Sequence, residues 1–133
     1  MDIPAIQKPV LGLYDRLMWE SISSKAMRLQ KCRECGQFRY PPGPTCSFCL
    51  SLKFDWELIS GQAIIWSWVI FHRQYLEAYP TPYNVISIQL KEGPLMFSNL
   101  VGPTPTGSWI GELVNICYDD IGGDFILPRF RLR

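Results

Sequence analysis

Four cysteines in two pairs constrain the fold of this chain more than any other feature. Cys32 and Cys35 form the first pair, Cys46 and Cys49 form the second, and ten residues lie between the pairs. Two intervening residues let both sulfurs of a pair turn toward one centre, so two pairs can supply four thiolates to a tetrahedral zinc ion. Because protein sulfurs would fill every coordination position, we predict a structural Zn²⁺ that organises a zinc ribbon over residues 31–52. Function is then expected elsewhere in the chain.

Two other interpretations of the cysteines stay open. Disulfides are typical of secreted proteins, but residues 1–4 lack the basic and apolar segments that begin a signal peptide. We therefore expect thiolates and a cytoplasmic location. Tetrahedral thiolate sites also hold iron, and Gly36 follows the first pair as a glycine does in a rubredoxin knuckle. Leu50 stands at the matching position after the second pair, which favours zinc over a redox iron site.

Length and composition limit the classes of protein. The 133 residues fit one compact domain, or one domain with a small appended module. The longest nearly apolar stretch, residues 64–71, is far shorter than the roughly 20 residues that span a bilayer, so no membrane segment is expected. Hydrophobic residues make up 47% and charged residues 19%, and so small a domain cannot bury all of its apolar surface, which predicts a protein partner. The net charge of +1 argues against nucleic acid as the main ligand.

The first third of the chain contains one helix and one irregular loop. Apolar residues from Tyr14 to Ile22 recur at helical spacing and predict an amphipathic helix over residues 11–23. Residues 26–31 are expected to be a short extended lead into the first cysteine pair. Three prolines within residues 41–44 remove backbone donors and fix the backbone angle, which predicts the loop between the two pairs.

Five stretches after the ribbon combine β-branched and aromatic residues with turn signals at their ends. They are residues 62–73, 83–90, 95–101, 114–119 and 125–132. Five strands without a helical pattern predict a small closed barrel, for which the OB-fold is the architecture of this size, with an SH3-like barrel or an open meander as alternatives. The predicted fold class is mainly β, with an N-terminal helical segment (1–30), a rubredoxin-like zinc ribbon (31–52) and a five-stranded OB-fold barrel (53–133). Cys117, the fifth cysteine, is predicted to be a small apolar strand residue.

The order of short motifs along the chain resembles one known family. The motifs are Trp19-Glu20, Leu29-Gln30-Lys31-Cys32, Cys35-Gly36, Tyr40-Pro41-Pro42, Cys46 with Cys49, Trp56, Ser60-Gly61, His72-Arg73, Pro82-Tyr83, Phe97-Ser98-Asn99-Leu100-Val101-Gly102, Ile110-Gly111 and Leu127-Pro128-Arg129-Phe130-Arg131. Together they cover nearly the whole chain and resemble the zinc-ribbon plus OB-fold proteins associated with acyl-CoA enzymes. Members of that family accompany thiolase-like enzymes, steroid side-chain aldolases, hydratases and acyltransferases, as separate subunits or fused to a hot-dog hydratase. Since 133 residues leave no room for a fused hydratase, the resemblance implies a stand-alone subunit.

The resemblance also implies a function and a ligand site. It implies an accessory subunit that is not catalytic alone but is required by an acyl-CoA-processing complex, with a thiolase-like or aldolase enzyme as its hetero-oligomeric partner. The implied ligand is coenzyme A or acyl-CoA, and the implied site residues are His72, Arg73 and Tyr83. A guanidinium matches phosphate geometry, so Arg73 is the candidate phosphate clamp. His72 is the single histidine, and we expect it to be a structural or binding residue because no carboxylate beside it suggests a catalytic dyad.

A nucleic-acid-binding module is the alternative function. Zinc ribbons and OB barrels both bind single strands through basic grooves and stacking aromatic side chains, and Trp66, Trp68 and Phe71 could form such a platform. Trp66 and Trp68 are two residues apart and share one strand face, where core packing or subunit contact explains them equally well. A redox role for an iron tetrathiolate is the third possibility.

Overall fold

The computed structural model describes residues 9–133, so the prediction about residues 1–4 and the first part of the predicted helical segment lie outside the described residues. One helix and eight strands follow one another along the chain. They are α1 (Asp15–Ser23), β1 (Arg28–Cys32), β2 (Phe38–Arg39), β3 (Phe54–Leu58), β4 (Gln62–Phe71), β5 (Tyr83–Leu90), β6 (Leu95–Ser98), β7 (Leu113–Asp120) and β8 (Ile126–Leu132). The predicted fold class, mainly β with one helix, a ribbon and a five-stranded sheet, is confirmed.

Helix α1 is shorter than its sequence pattern predicts. It begins at Asp15 rather than at residue 11. Gly12 instead forms a turn, in which its N–H donates to Oδ2 of Asp15 at 3.3 Å and its carbonyl accepts from the N–H of Arg16 at 3.2 Å. The buried side chains of the helix are Met18 and Ile22, and these attach α1 to the barrel.

The ribbon contains a three-stranded antiparallel sheet in the order β2-β1-β3. Strand β3 pairs with β1 along its whole length, from Leu58 opposite Arg28 to Phe54 opposite Cys32. The hydrogen-bonded sheet thus crosses residue 52, where we place the end of the ribbon from the sequence. The division at residues 30 and 52 stays a prediction.

The second sheet has five antiparallel strands in the order β6-β5-β4-β7-β8. Strand β4 pairs with β5 over nearly its full length, with a bulge between Ile65 and Ser67. Its other edge pairs with β7 only through residues 62–64. The bulge bends β4 out of the sheet, as bulges in barrel strands commonly do.

This sheet curls until its outer strands meet. Leu100 forms an isolated parallel bridge with Phe130, the N–H of Val101 donates to the carbonyl of Phe130 at 2.9 Å, and the N–H of Phe130 donates to the carbonyl of Asn99 at 3.0 Å. The curled sheet is therefore joined along a short seam, consistent with the partly open OB-fold. The predicted strands after the ribbon agree closely with β4 to β8. Strand β6 ends at Ser98 because the next residues form the seam instead.

The helix, ribbon and barrel share one hydrophobic core. Its largest fully buried side chains include Ile22, Met27, Leu29, Ile88 and Phe130. Met27 links the regions through its backbone, since its N–H donates to the hydroxyl of Tyr118 at 2.7 Å and its carbonyl accepts from Ile59 at 3.2 Å. Within residues 9–133, no helix has the length and hydrophobicity that crossing a membrane requires.

Candidate metal centre and ligand site

The fold brings the four predicted metal ligands together. The sulfurs of Cys32, Cys35, Cys46 and Cys49 all lie within 4.8 Å of one another, and the Cys32–Cys49 and Cys35–Cys46 sulfurs are 3.5 Å apart. Sulfurs bound at about 2.3 Å to a tetrahedral zinc ion lie somewhat under 4 Å from each other, so the cluster fits Zn²⁺. One cysteine of each pair is buried and the other is exposed.

The two cysteine pairs adopt the same turn. The N–H of Gly36 donates to the carbonyl of Cys32 at 3.0 Å, and the N–H of Leu50 donates to the carbonyl of Cys46 at 2.9 Å. Gly36 has φ +78° and Leu50 has φ +65°. Leu50 therefore takes the left-handed conformation that glycine adopts more readily. The missing second glycine does not prevent a rubredoxin-like knuckle, so it is a weaker argument against iron than the sequence suggests.

Backbone amides around the cluster stabilise thiolates. The N–H of Cys35 is the largest influence on Cys32 and lowers its pKa to about 6. The N–H groups of Cys49 and Phe48 likewise lower the pKa of Cys46, and the Phe48 N–H lies 3.4 Å from its sulfur. Each buried sulfur is thus prepared for deprotonation, which metal binding requires.

The predicted ligand residues lie where β4 leads into the following loop and β5 begins. Tyr83 stacks on Phe71, with ring centroids 4.8 Å apart. The guanidinium of Arg73 lies 5.5 Å from the ring centroid of Tyr75, whose ring contacts Phe71 edge-on. Arg73 and Tyr83 therefore belong to one aromatic cluster. His72 is exposed, and within residues 9–133 no hydrogen bond or ion pair holds its ring.

A cavity of about 280 Å³ lies beside Tyr83. Its walls include Tyr79, Leu100 and Arg129, while His72 and Arg73 do not line it. Arg129 donates from Nη1 to Oδ2 of Asp119 at 3.0 Å, and its buried Nε has no partner among the described residues. A guanidinium with an unused donor suits an acceptor such as a phosphate oxygen.

Two asparagines fix the wall of this cavity. The side chain of Asn84 accepts from the N–H of Leu100 at 2.7 Å and donates to the carbonyl of the same residue at 2.9 Å. The side-chain amide of Asn99 donates to the backbone carbonyl of Asn84. Sequence reasoning gave no ligand role to Asn84, Asn99 or Arg129. The only available signal was their place within or beside the motifs of the family resemblance.

Two family profiles match adjacent parts of the chain. Residues 26–55 match the rubredoxin-like zinc ribbon domain of ChsH2, and residues 56–119 match its C-terminal OB-fold domain. This chain belongs to the ChsH2 family. The family resemblance predicted from the motifs is confirmed, and the zinc-ribbon profile spans the four-cysteine cluster that fits Zn²⁺.

Two curated relatives extend the comparison. The chain is 30% identical over 126 residues to a probable enoyl-CoA hydratase alpha subunit of Thermomonospora curvata, covering 93% of this chain and 39% of the relative. It is 25% identical over 120 residues to the 3-oxo-4,17-pregnadiene-20-carboxyl-CoA hydratase alpha subunit of Mycobacterium tuberculosis, covering 90% of this chain and 38% of that one. The chain thus spans about two fifths of the length of the curated relatives it matches.

Two solved structures share the ChsH2-type fold. A chain of the Ltp2-ChsH2(DUF35) aldolase superposes with a TM-score of 0.86 at 29% identity, covering 94% of this chain and 98% of that chain. A DUF35-family protein of unknown function from Sulfolobus solfataricus superposes with a TM-score of 0.65 at 15% identity, covering 92% and 87%. The second likeness shows the fold alone.

Proposed function

We propose that this chain is a non-catalytic accessory subunit of an acyl-CoA-processing enzyme complex, and that its partner is a thiolase-superfamily or aldolase enzyme. The observation that carries the proposal is the likeness to the ChsH2(DUF35) chain of an aldolase, which extends over 98% of that chain. The hydratase alpha subunit names of the two curated relatives support acyl-CoA chemistry for the complex.

The described side chains support a role without chemistry of its own. A zinc ion held by Cys32, Cys35, Cys46 and Cys49 would have every coordination position filled by protein, which leaves none for a water or substrate. His72 has no hydrogen-bonded carboxylate to orient it, as a catalytic base usually has. We propose that the metal holds the ribbon in shape and that the reacting groups belong to the partner enzyme.

We further propose that coenzyme A meets this subunit at the aromatic cluster and the adjoining cavity. Arg73 and Arg129 are the candidate phosphate contacts, and Tyr83 borders the cavity. A volume of about 280 Å³ is at the lower end of ligand pockets, which run from about 300 Å³ upward. The cavity would therefore take one part of the cofactor, and the partner enzyme would cover the rest.

Co-expression with the cognate enzyme tests the assembly. We expect a complex that survives size-exclusion chromatography, with an interface of well over about 1,000 Å², and an enzyme that is poorly soluble or inactive alone. A monomeric chain that finds no partner and shows acyl-CoA-independent activity of its own would refute the proposal.

Arginine variants test the ligand site within that complex. Arg73→Ala and Arg129→Ala should each raise the KM for acyl-CoA while zinc content and assembly stay unchanged, because only a ligand contact is removed. Arg33→Ala is the matched control, since Arg33 bonds to Asp55 on the ribbon surface. An unchanged KM in both site variants would exclude these arginines as phosphate contacts.

His72→Ala tests whether the subunit takes part in chemistry. We expect kcat to change by less than about tenfold, because general acid or base catalysis contributes roughly 100-fold or more. A fall of several orders of magnitude in kcat, with assembly intact, would make this a catalytic subunit.

The nucleic-acid alternative receives little support from the aromatic side chains. Trp68 stacks on Trp109 at 5.8 Å and Phe71 stacks on Tyr83 at 4.8 Å, so two of the three predicted stacking residues already have partners. Few phosphates can be neutralised at a net charge of +1, and we expect binding to single-stranded DNA or RNA weaker than about micromolar at physiological salt. Fluorescence anisotropy measures this directly, and a tight, steeply salt-dependent complex would restore the alternative.

A further inference from the structure

The second half of β4 has an edge without a neighbouring strand. β4 meets β7 only through residues 62–64, and the backbone bonds of Ile65 to Gly111 and Glu112 extend that contact by one residue. Beyond the bulge, residues 67–71 pair with β5 on one side. Within residues 9–133, no hydrogen bond reaches the other side of this segment.

The register identifies which backbone groups face the open edge. The N–H of Leu90 donates to Pro94 on the β6 side, whereas the N–H of Lys91 donates to Gln62 in β4. Backbone groups alternate between the two edges of a strand, so Ser87 and Val85 of β5 face β4. Their partners there are Ser67 and Val69. By the same alternation, the N–H and C=O groups of Trp68 and Ile70 point to the open edge.

This edge lacks the usual protection against pairing. Monomeric proteins guard exposed edges with charged side chains or proline, but β4 contains neither from Gln62 to Phe71. Trp66 is 52% exposed, Val69 53% and Ile70 42%. The apolar side chains lie on both faces of the strand, because Val69 and Ile70 are adjacent. A partner segment could therefore gain backbone hydrogen bonds and apolar contacts on either face.

We infer that the outer edge of β4 is completed by an extended, uncharged segment of the enzyme subunit, which adds a strand beside Trp68 and Ile70. The inference rests on the proposed function for the identity of the partner. Free backbone donors and acceptors in strand geometry select another extended chain as their complement. The edge also leads directly into His72 and Arg73, so the added strand would lie next to the proposed acyl-CoA site.

A second copy of this chain is a poorer occupant. Two-fold pairing about Ile70 would align residues 68–72 of the two copies and no more, because Ile65 is already bonded to Gly111 and Glu112 and the chain enters a loop after His72. A strand of five residues is far smaller than the roughly 800 Å² that each partner buries in a stable interface. An enzyme subunit can add contacts at the adjoining ligand site.

Ile70→Pro is the decisive variant. Proline removes the outward N–H and places its ring at the edge, while the pairing with β5 uses other residues. We expect the affinity for the co-purified enzyme subunit to fall at least about tenfold, and Ile70→Ala, which keeps the N–H, to fall by less than about threefold. Zinc content and the circular dichroism spectrum of the free chain should be unchanged. Equal affinity of Ile70→Pro and wild type would overturn the inference.

Amide exchange of the wild-type complex gives an answer that does not depend on the proline variant folding. In the free chain the amides of Val69 and Phe71 should already be protected and those of Trp68 and Ile70 should exchange rapidly. On complex formation the Trp68 and Ile70 amides should slow by at least about tenfold. Unchanged exchange at both in a stable complex would refute the added strand but leave the proposed function standing.

Two other outcomes separate the remaining possibilities. If the wild-type chain forms no complex with the enzyme subunit, the proposed function fails and the inference fails with it. If sedimentation shows that the chain dimerises alone and Ile70→Pro abolishes the dimer, the edge belongs to a second copy, and the enzyme is excluded as its occupant.

Discussion

The ribbon and the barrel are stabilised by different means. Between β1 and β3 the ribbon buries few apolar side chains, chiefly Leu29 and the cysteines Cys32 and Cys46, whereas the barrel strands bury a continuous set of aliphatic and aromatic residues around Phe130. A module of about 30 residues cannot exclude enough apolar surface to fold alone, and metal binding commonly supplies the missing free energy. The comparison predicts that the two regions respond to different substitutions.

The largest expected effect is the loss of one metal ligand. Cys46→Ala should reduce bound zinc from about one per chain to nearly none and unfold the ribbon, because metal binding contributes on the order of 10 kcal/mol to the folding of such modules. Amides of β1 should exchange freely while those of β5 and β7 stay protected. Metal analysis and hydrogen exchange measure both effects.

Cys117→Ala is the matched control, since Cys117 lies in β7 and burial raises the pKa of its thiol. It should retain zinc. Iron in the purified protein, or cysteines paired as disulfides without metal, would contradict the metal assignment. Loss of the whole fold in Cys46→Ala would show that the barrel depends on the ribbon.

The second expected effect reverses the first. Phe130 is fully buried at the seam, and Phe130→Ala should lower the free energy of unfolding by about 3–5 kcal/mol through the cavity it leaves. Zinc content should not change. Phe97→Ala is the control, because Phe97 is 73% exposed, and its unfolding free energy should change by less than about 0.5 kcal/mol. Release of zinc by Phe130→Ala would mean that the regions are not separable.

A smaller effect is expected at the junction of the two regions. Gly61 lies between β3 and β4 with φ +79°, and an added Cβ would meet Cγ2 of Ile116. Gly61→Ala should destabilise the protein by about 2–3 kcal/mol, from left-handed strain plus overpacking. Gly102→Ala separates the two causes, since Gly102 has φ +78° with nothing within 4 Å. Equal effects in thermal denaturation would remove the steric part of this explanation.

The smallest effect concerns the hydrogen bond that joins the regions. Tyr118→Phe removes the acceptor of the Met27 N–H, and we expect a loss of about 1 kcal/mol in urea unfolding. Burial raises the pKa of Tyr118, so the hydroxyl stays neutral at physiological pH. Tyr75→Phe is the control, because Tyr75 is exposed and only its ring makes contacts. An unchanged stability of Tyr118→Phe would mean that water replaces the hydroxyl.

Local chemistry explains which features could be predicted. The spacing of the cysteines determines the two knuckles because each turn closes within a few residues, as the bond from Gly36 to Cys32 shows. The strands of the barrel follow from β-branched residues between turn signals, and β4 and β5 begin at the predicted residues. The start of α1 was less predictable, because a side chain, Asp15, bonds to Gly12 and forms a turn there.

The sequence by itself determined the four-cysteine cluster, the order of elements and the family. Only the tertiary structure decided that β3 joins the ribbon sheet, that Arg129 and Tyr83 border one cavity while His72 stands apart, and that β4 keeps an open edge. The physical reason is range. Knuckles, strands and turns are set by neighbours a few residues away, whereas the cavity and the open edge depend on how a bulged strand bends and on which distant strands meet when the sheet curls.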